Sequence, residues 1–168
     1  MENDKASTKK IIIKYGIIYG ITWITYSIIR YITGYTTTRN WFLSVIELSI
    51  HIGVISYSIY TFKLANNHFL KLGQALKVGF SIVLIGVGIQ VLWDIFLLKV
   101  ISSETMYQMI SSLEKSTITK PIEQNSTISR ENSFLFTISL VAFIGNSILG
   151  FLISLIAGVI MIKKRDIL

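Results

Sequence analysis

Four long apolar stretches, separated by polar connections, organise this chain. They run from Ile11 to Ile32, Trp41 to Phe62, Val78 to Val100 and Ser133 to Ile162. A helix rises about 1.5 Å per residue, so about 20 apolar residues cross a hydrocarbon core of roughly 30 Å. The pattern therefore predicts an all-α, integral membrane four-helix bundle, with residues 1–168 as a single membrane domain.

The third connection, residues 102–132, is the only sizeable polar segment between these stretches. Ser103 is a suitable helix N-cap, and Met106, Met109, Ile110 and Leu113 follow at helical spacing. We expect an amphipathic helix here, on the outer membrane surface or capping the bundle. Packing against its own protein is the favoured interpretation, and binding of a partner is the alternative. The polar residues 116–133 are predicted to form a loop.

Basic residues predict the orientation of the chain in the membrane. Lysine and arginine are concentrated in the N-terminal tail, in the connection after the second stretch and at the C-terminus, whereas Arg39 is alone between the first two stretches. Short segments rich in these residues stay in the cytoplasm. The pattern predicts a protein of the cell (inner) membrane with both termini cytoplasmic and the connection 102–132 extracytoplasmic.

Composition limits the other classes of function. Hydrophobic residues make up 52% of the chain and charged residues 15%, and cysteine is absent. A disulfide framework and a thiolate metal site are therefore excluded. The net charge of +7 does not indicate nucleic-acid binding, because the basic residues flank apolar stretches instead of forming one soluble face.

Ionisable residues inside the apolar stretches are the main candidates for function, because each is costly in a membrane and tends to face the bundle interior. Glu47 and His51 lie one helical turn apart in the second stretch. At the depth of Glu47, we expect Arg30 and Asp94. Nearer the midplane, we expect His51, Gln90 and Asn146. Matching depths permit an outer ionic cluster and a polar layer at mid-membrane.

Each candidate also has a structural interpretation. Arg30 could extend to the outer headgroups, and Asp94 could lie at the interface beside Trp93. Glu47 could be a paired carboxyl that orients helices, with His51 as its hydrogen-bond partner. The functional interpretation is proton or cation handling by Glu47 and His51.

No motif for catalysis, a metal or a cofactor is visible in the sequence. Glu47 and His51 would supply only two metal ligands, and no Gly-x-Ser-x-Gly or phosphate-binding loop is present. Small residues give a structural prediction instead. Gly16 and Gly20 in the first stretch, and Gly150, Ser154 and Gly158 in the fourth, allow close approach of helices. We expect the first and fourth helices to pack together, or Gly16 and Gly20 to form a homo-oligomer contact.

Three segments resemble a known family. They are Lys-Lys-Ile-Ile-Ile-Lys-Tyr-Gly at 9–16, the segment 69–79 that enters the third stretch, and Met-Ile-Lys-Lys-Arg at 161–165. Together they resemble the bacterial, mostly Bacteroidetes, family called domain of unknown function 4199. The resemblance implies a multi-pass inner-membrane protein and no assigned activity. Family members often carry Ser or Thr where Lys71 stands, which leaves the start of the third helix in question.

These patterns favour a non-enzymatic accessory or assembly component of the cell envelope. Its expected partners are the lipid bilayer and a second copy or another membrane protein. The alternative is a small proton- or cation-coupled transporter or channel subunit that uses Glu47 and His51.

Overall fold

The computed structural model describes residues 2–36, 38, 40–101, 103–116 and 127–162, and every element in these ranges is helical. The helices are α1 (Glu2–Ile32), α2 (Trp41–Ala65), α3 (Leu72–Phe96), α4 (Ser103–Ser116) and α5 (Thr127–Met161). A π-helical turn, Leu97–Ile101, extends α3. Helices α1, α2, α3 with its extension, and α5 are long and apolar enough to cross a membrane.

Helix α3 is the central element of the bundle. Helices α1 and α5 both pack along it, and α2 closes the bundle by contacting α1, α3 and α5. The buried residues of α3 include Val78, Ile82, Val83 and Val87, each no more than 1% exposed. We call the end with the α1–α2 connection and α4 the loop end, and the end where α5 finishes the terminal end.

Local side chains explain where the helices begin. The Asn40 side chain caps α2 by accepting a hydrogen bond from the Phe42 amide, at 3.2 Å. At α3, the backbone amide of Lys71 donates to the Gln74 side chain, at 3.0 Å. The glutamine thus satisfies an N-terminal amide although a serine or threonine cap is missing, and α3 begins at Leu72.

The small residues of α1 pack on α3, not on α5 as the sequence interpretation had it. Gly16 lies against Ile85, and Gly20 lies against Ile89 one turn further along both helices. A Cβ at Gly16 or Gly20 would approach the Ile85 or Ile89 side chain to 2.8 and 2.7 Å respectively. The glycines are therefore covered inside one chain, which leaves no open surface there for a homo-oligomer contact.

The small residues of α5 also face α3, in antiparallel order. Their partners are Val83 for Gly150, Gly79 for Ser154 and Ala75 for Gly158. The prediction that these residues lie at close helix contacts was thus made for the wrong helix pair. The physical reason is that small residues indicate a close helix contact but not which helix is the partner. Helix α3 supplies both a glycine and the branched side chains that pack against these small residues.

Two boundaries differ from the sequence prediction. Helix α5 already begins at Thr127, so residues 127–132, assigned to the connection, are helical. The apolar stretch that ends at Val100 does not form one regular helix, because it passes into the π-helical turn. Two predicted features lie outside the described residues: the polar loop at 117–126 and the basic C-terminus Lys163, Lys164 and Arg165.

Candidate functional site

An ion pair joins α1 to α2 near the loop end. Arg30 Nη1 donates to Glu47 Oε1 at 2.8 Å, and the two side chains are 22% and 29% exposed. The Tyr26 hydroxyl, one turn before Arg30, donates to the same carboxylate oxygen at 3.2 Å. The Glu47 carboxylate is thus paired, as the structural interpretation of this residue predicts. Arg30 turns toward the protein instead of extending to headgroups.

Arg30 also holds the connection between α1 and α2. Its Nε donates to the Tyr35 carbonyl at 3.2 Å, and its Nη2 donates to the carbonyls of Tyr35, Thr36 and Thr38 at 2.8, 3.2 and 3.0 Å. A turn with Gly34 at φ 74° brings these carbonyls back over the end of α1. One guanidinium therefore links the Glu47 carboxylate to the backbone of the connection.

His51 is enclosed among aromatic rings of α1. Its side chain is buried, at 2% exposure, and lies edge-on to Tyr19 and Trp23, with ring centroids 5.5 and 5.1 Å away. His51 Nδ1 lies 2.8 Å from the Glu47 carbonyl oxygen. Since a carbonyl only accepts, Nδ1 carries the proton. The Glu47 carboxylate is not its partner, and Nε2 has no hydrogen-bond partner in the described part of the chain.

A polar contact joins α3 to α5. Asn146 Nδ2 donates to Gln90 Oε1 at 3.3 Å, as matching depths permitted. Gln90 is only 4% exposed, and its amide also hydrogen-bonds to the Asp94 carboxylate one turn away. Asp94 therefore turns toward the interior of the bundle.

A cavity of about 230 Å³ lies between α1, α3 and α5 at the loop end. Its polar lining includes Arg30, Asp94 and Gln90, and its aromatic lining is Trp23 and Tyr26. The π-helical turn and α4 cover it from the loop side, where Met106 of α4 packs against Leu97, Leu98 and Leu135. The structure thus places Arg30, Asp94 and Gln90 around one space, with Glu47 bonded to Arg30 and Asn146 bonded to Gln90.

The terminal half of the bundle has an apolar interior. Ile55, Ile59, Ile82 and Val83 are fully buried there. Two buried serines in this half bond to their own helices: Ser58 donates to the Ile55 carbonyl and Ser154 to the Gly150 carbonyl, both at 2.7 Å. The buried Tyr15 hydroxyl bonds across to Thr61 Oγ1 of α2 at 3.2 Å, near the end of the bundle. The polar side chains of the loop end therefore do not continue as a polar file through this half of the described bundle.

Sequence reasoning missed Tyr19, Trp23 and Tyr26. Their signal was present, because they lie three to four residues apart and so share the helix face that carries Arg30. It was hidden because apolar residues surround them on every face of α1, so the sequence did not show which face meets a neighbouring helix. Gly86 was missed as well, although it accommodates the Tyr19 ring.

These features define the class as a helical membrane protein with a polar cluster in one half and mainly apolar side chains inside the other half. Within the described residues, no three His, Cys, Asp or Glu side chains converge as they would around a metal. The chain belongs to the family described as Protein of unknown function (DUF4199), which matches residues 14–163. No curated protein matches the chain, and no solved structure matches it.

Proposed function

We propose that the protein is a non-enzymatic accessory or assembly component of a bacterial cell envelope, in the inner membrane. The observation that carries this proposal is the apolar interior of the terminal half, where Ile55, Ile59, Ile82 and Val83 are fully buried. A transport pathway through one copy would need polar groups or water at these depths, since ionisable residues mark the pathways of membrane transporters.

The ionisable residues of the loop end support the same proposal. Glu47 is bonded to Arg30 and Tyr26, and Arg30 is bonded to three backbone carbonyls. Groups held by this many local partners serve to fix one helix arrangement. A stable arrangement with an apolar lipid-facing surface suits a protein that is recognised by other membrane proteins.

Charge supports an orientation with cytoplasmic termini. Lys71 and Lys77, at the terminal end with the start of α1 and the finish of α5, are exposed. Lysine in such short connections favours the cytoplasmic side. The loop end, with α4, would then face away from the cytoplasm. A reporter fused after Leu168 should be active only in the cytoplasm, and activity outside it would overturn this orientation.

Copurification tests the proposed role. After crosslinking in native membranes, wild-type protein and the Glu47→Gln variant should both retain the same specific membrane-protein partner. Retention is expected because the amide oxygen still accepts from Arg30 and Tyr26. Loss of the partner in Glu47→Gln, with the folded amount unchanged, would contradict a purely structural role for the carboxylate.

A proton- or cation-coupled transporter is the second candidate, and one observation favours it. His51 Nε2 is buried without a hydrogen-bond partner among the described residues, so it could accept a proton. A pathway would then require a second copy to supply the missing polar groups. If this second candidate is correct, reconstituted wild-type protein shows pH-dependent flux, and Glu47→Gln with His51→Ala abolishes it. Flux unchanged in this variant would exclude the role of the pair.

A further inference from the structure

We propose that the cavity at the loop end binds a small organic ammonium ion, with the Asp94 carboxylate as its counter-ion and Trp23 as its aromatic contact. This site is separate from the Glu47 and His51 pair and does not depend on the accessory role. Its chemistry follows from the charge, the lining and the size of the cavity.

The charge of the cluster leaves one carboxylate without an ion-pair partner. Arg30 and Glu47 neutralise each other at 2.8 Å. The remaining donors of Arg30 are directed at the carbonyls of the α1–α2 connection. Asp94 forms no direct ion pair with any residue that the structure describes, although the charge of Arg30, which lines the same cavity, also acts on it. Lys99 beyond it is exposed. The formal charge of these three cluster side chains is therefore negative by one.

Asp94 is held in place at the cavity wall. The Gln90 amide hydrogen-bonds to its carboxylate, and the Gln90 oxygen is in turn held by Asn146 at 3.3 Å. Gln90 is 96% enclosed, since its exposed fraction is 4%. Hydrogen bonds of this kind fix the orientation of a binding carboxylate before the ligand arrives.

The other walls suit an ammonium ion that carries alkyl groups. Trp23 and Tyr26 line the cavity, and apolar side chains such as Val91, Ile95 and Ile138 complete it. The Arg30 guanidinium already lies over the Tyr26 ring, 5.9 Å from its centroid, so Trp23 is the ring that remains for a ligand. Aromatic faces attract quaternary ammonium groups through their negative quadrupole. An inorganic cation would gain nothing from these apolar walls, which favours an organic one.

Size restricts the ligand further. The cavity volume of about 230 Å³ is more than ten times the roughly 10–15 Å³ needed by one water. It is smaller than the roughly 300–1,000 Å³ of pockets that hold drug-sized ligands. A choline-sized ion fits this interval. Its source could be a free cation or the ammonium group of a lipid headgroup, which share the same recognition chemistry.

Two probes test the charge requirement on the wild-type protein in detergent. Choline is compared with dimethylbutanol, in which carbon replaces the ammonium nitrogen, by equilibrium binding and by ligand-induced thermal stabilisation. We expect saturable choline binding that is about tenfold or more tighter than binding of the alcohol. Equal binding of both probes, or no binding of choline, would overturn the proposal without reference to any variant.

Matched variants locate the site. Asp94→Asn should weaken choline binding about tenfold or more. Glu104→Gln makes the same change on an exposed residue of α4, and should leave choline binding within about twofold of wild type. Ala142→Leu, which fills the cavity from α5, should also prevent binding. Full binding in folded Asp94→Asn protein and in Ala142→Leu protein would place the ligand elsewhere and refute the site.

The lipid composition separates the two sources. In nanodiscs of phosphatidylglycerol alone, choline should bind as it does in detergent. If headgroup ammonium occupies the cavity, added phosphatidylethanolamine should lower the apparent affinity for choline in wild type. If a free cation is the ligand, phosphatidylethanolamine should have no effect. Thermal stabilisation by phosphatidylethanolamine that persists undiminished in Ala142→Leu protein would contradict occupation of the cavity by a headgroup.

Discussion

A close contact between α1 and α3, at a glycine, provides a sharp test of the fold. Gly86 of α3 faces the ring of Tyr19, whose side chain is fully buried. A Cβ added at Gly86 would collide with Tyr19 Cδ1 and would lie 2.7 and 2.8 Å from Cγ and Cε1. Because the ring is enclosed, it cannot turn away as an exposed side chain could. We expect Gly86→Ala to force α1 and α3 apart.

The expected loss of stability follows from a comparison with a second glycine in the same helix. Gly88, also inside α3, has open space where its Cβ would be. Both substitutions gain the helix preference of alanine over glycine, about 0.5–1 kcal/mol. Only Gly86→Ala adds overpacking, which costs about 1–3 kcal/mol. The difference in unfolding free energy between the two variants therefore isolates the overpacking cost, and Gly86→Ala should be the less stable by about 1–3 kcal/mol.

Reversible unfolding in mixed micelles, followed by circular dichroism, measures this difference. In a second step, Gly86→Ala is combined with Tyr19→Leu, and its cost should shrink because the colliding ring is gone. Equal stabilities of Gly86→Ala and Gly88→Ala would refute the packing of Tyr19 on Gly86. An unchanged cost in the Tyr19→Leu background would refute the ring as its cause.

Three further predictions concern polar contacts. Arg30→Gln should destabilise the protein by about 1–3 kcal/mol in the same unfolding measurement. The loss should exceed that of Glu47→Gln, because Arg30→Gln also releases the α1–α2 connection, and the reverse order would contradict the role of Arg30. Asn146→Ala should cost about 0.6 kcal/mol, typical of one interhelical hydrogen bond in membranes, and a cost near zero would dismiss its bond to Gln90. The Tyr107 hydroxyl of α4 donates a hydrogen bond to the Glu131 carboxylate of α5. This bond raises the pKa of Tyr107, so its contribution to stability is present below the usual pKa of about 10 and is lost as pH rises through the raised pKa. Glu131→Gln should lower one tyrosine pKa in an ultraviolet titration, and an unchanged titration would exclude the bond.

The four membrane-length helices could be predicted from the sequence because their apolar stretches are long and their boundaries carry polar residues. The depth of each residue in the membrane could also be predicted, since each residue of a helix adds a fixed rise along its axis. It correctly permitted the contacts of Arg30 with Glu47 and of Gln90 with Asn146. These contacts do not establish what the residues do, and proton or cation handling stays a hypothesis.

Rotation about each helix axis could not be predicted, and the main differences arise from it. In lipid, apolar residues occur on every face, so no hydrophobic stripe shows which face meets a neighbour. Gly16, Gly20 and Gly150 were recognised as contact residues, but their common partner α3 was not. Because the rotation of α1 was unknown, the sequence also did not show that its face with Tyr19 and Trp23 encloses His51.

Flux through reconstituted wild-type protein tests the central claim most directly. Vesicles with an imposed pH gradient and a valinomycin-clamped potassium potential report proton movement through an internal dye. Because the terminal half of the bundle is filled by apolar side chains such as Ile55, Ile59 and Ile82, the rate should equal that of protein-free vesicles. A faster, protein-dependent proton flux that Glu47→Gln abolishes would contradict the accessory role and establish the polar residues as a transport pathway.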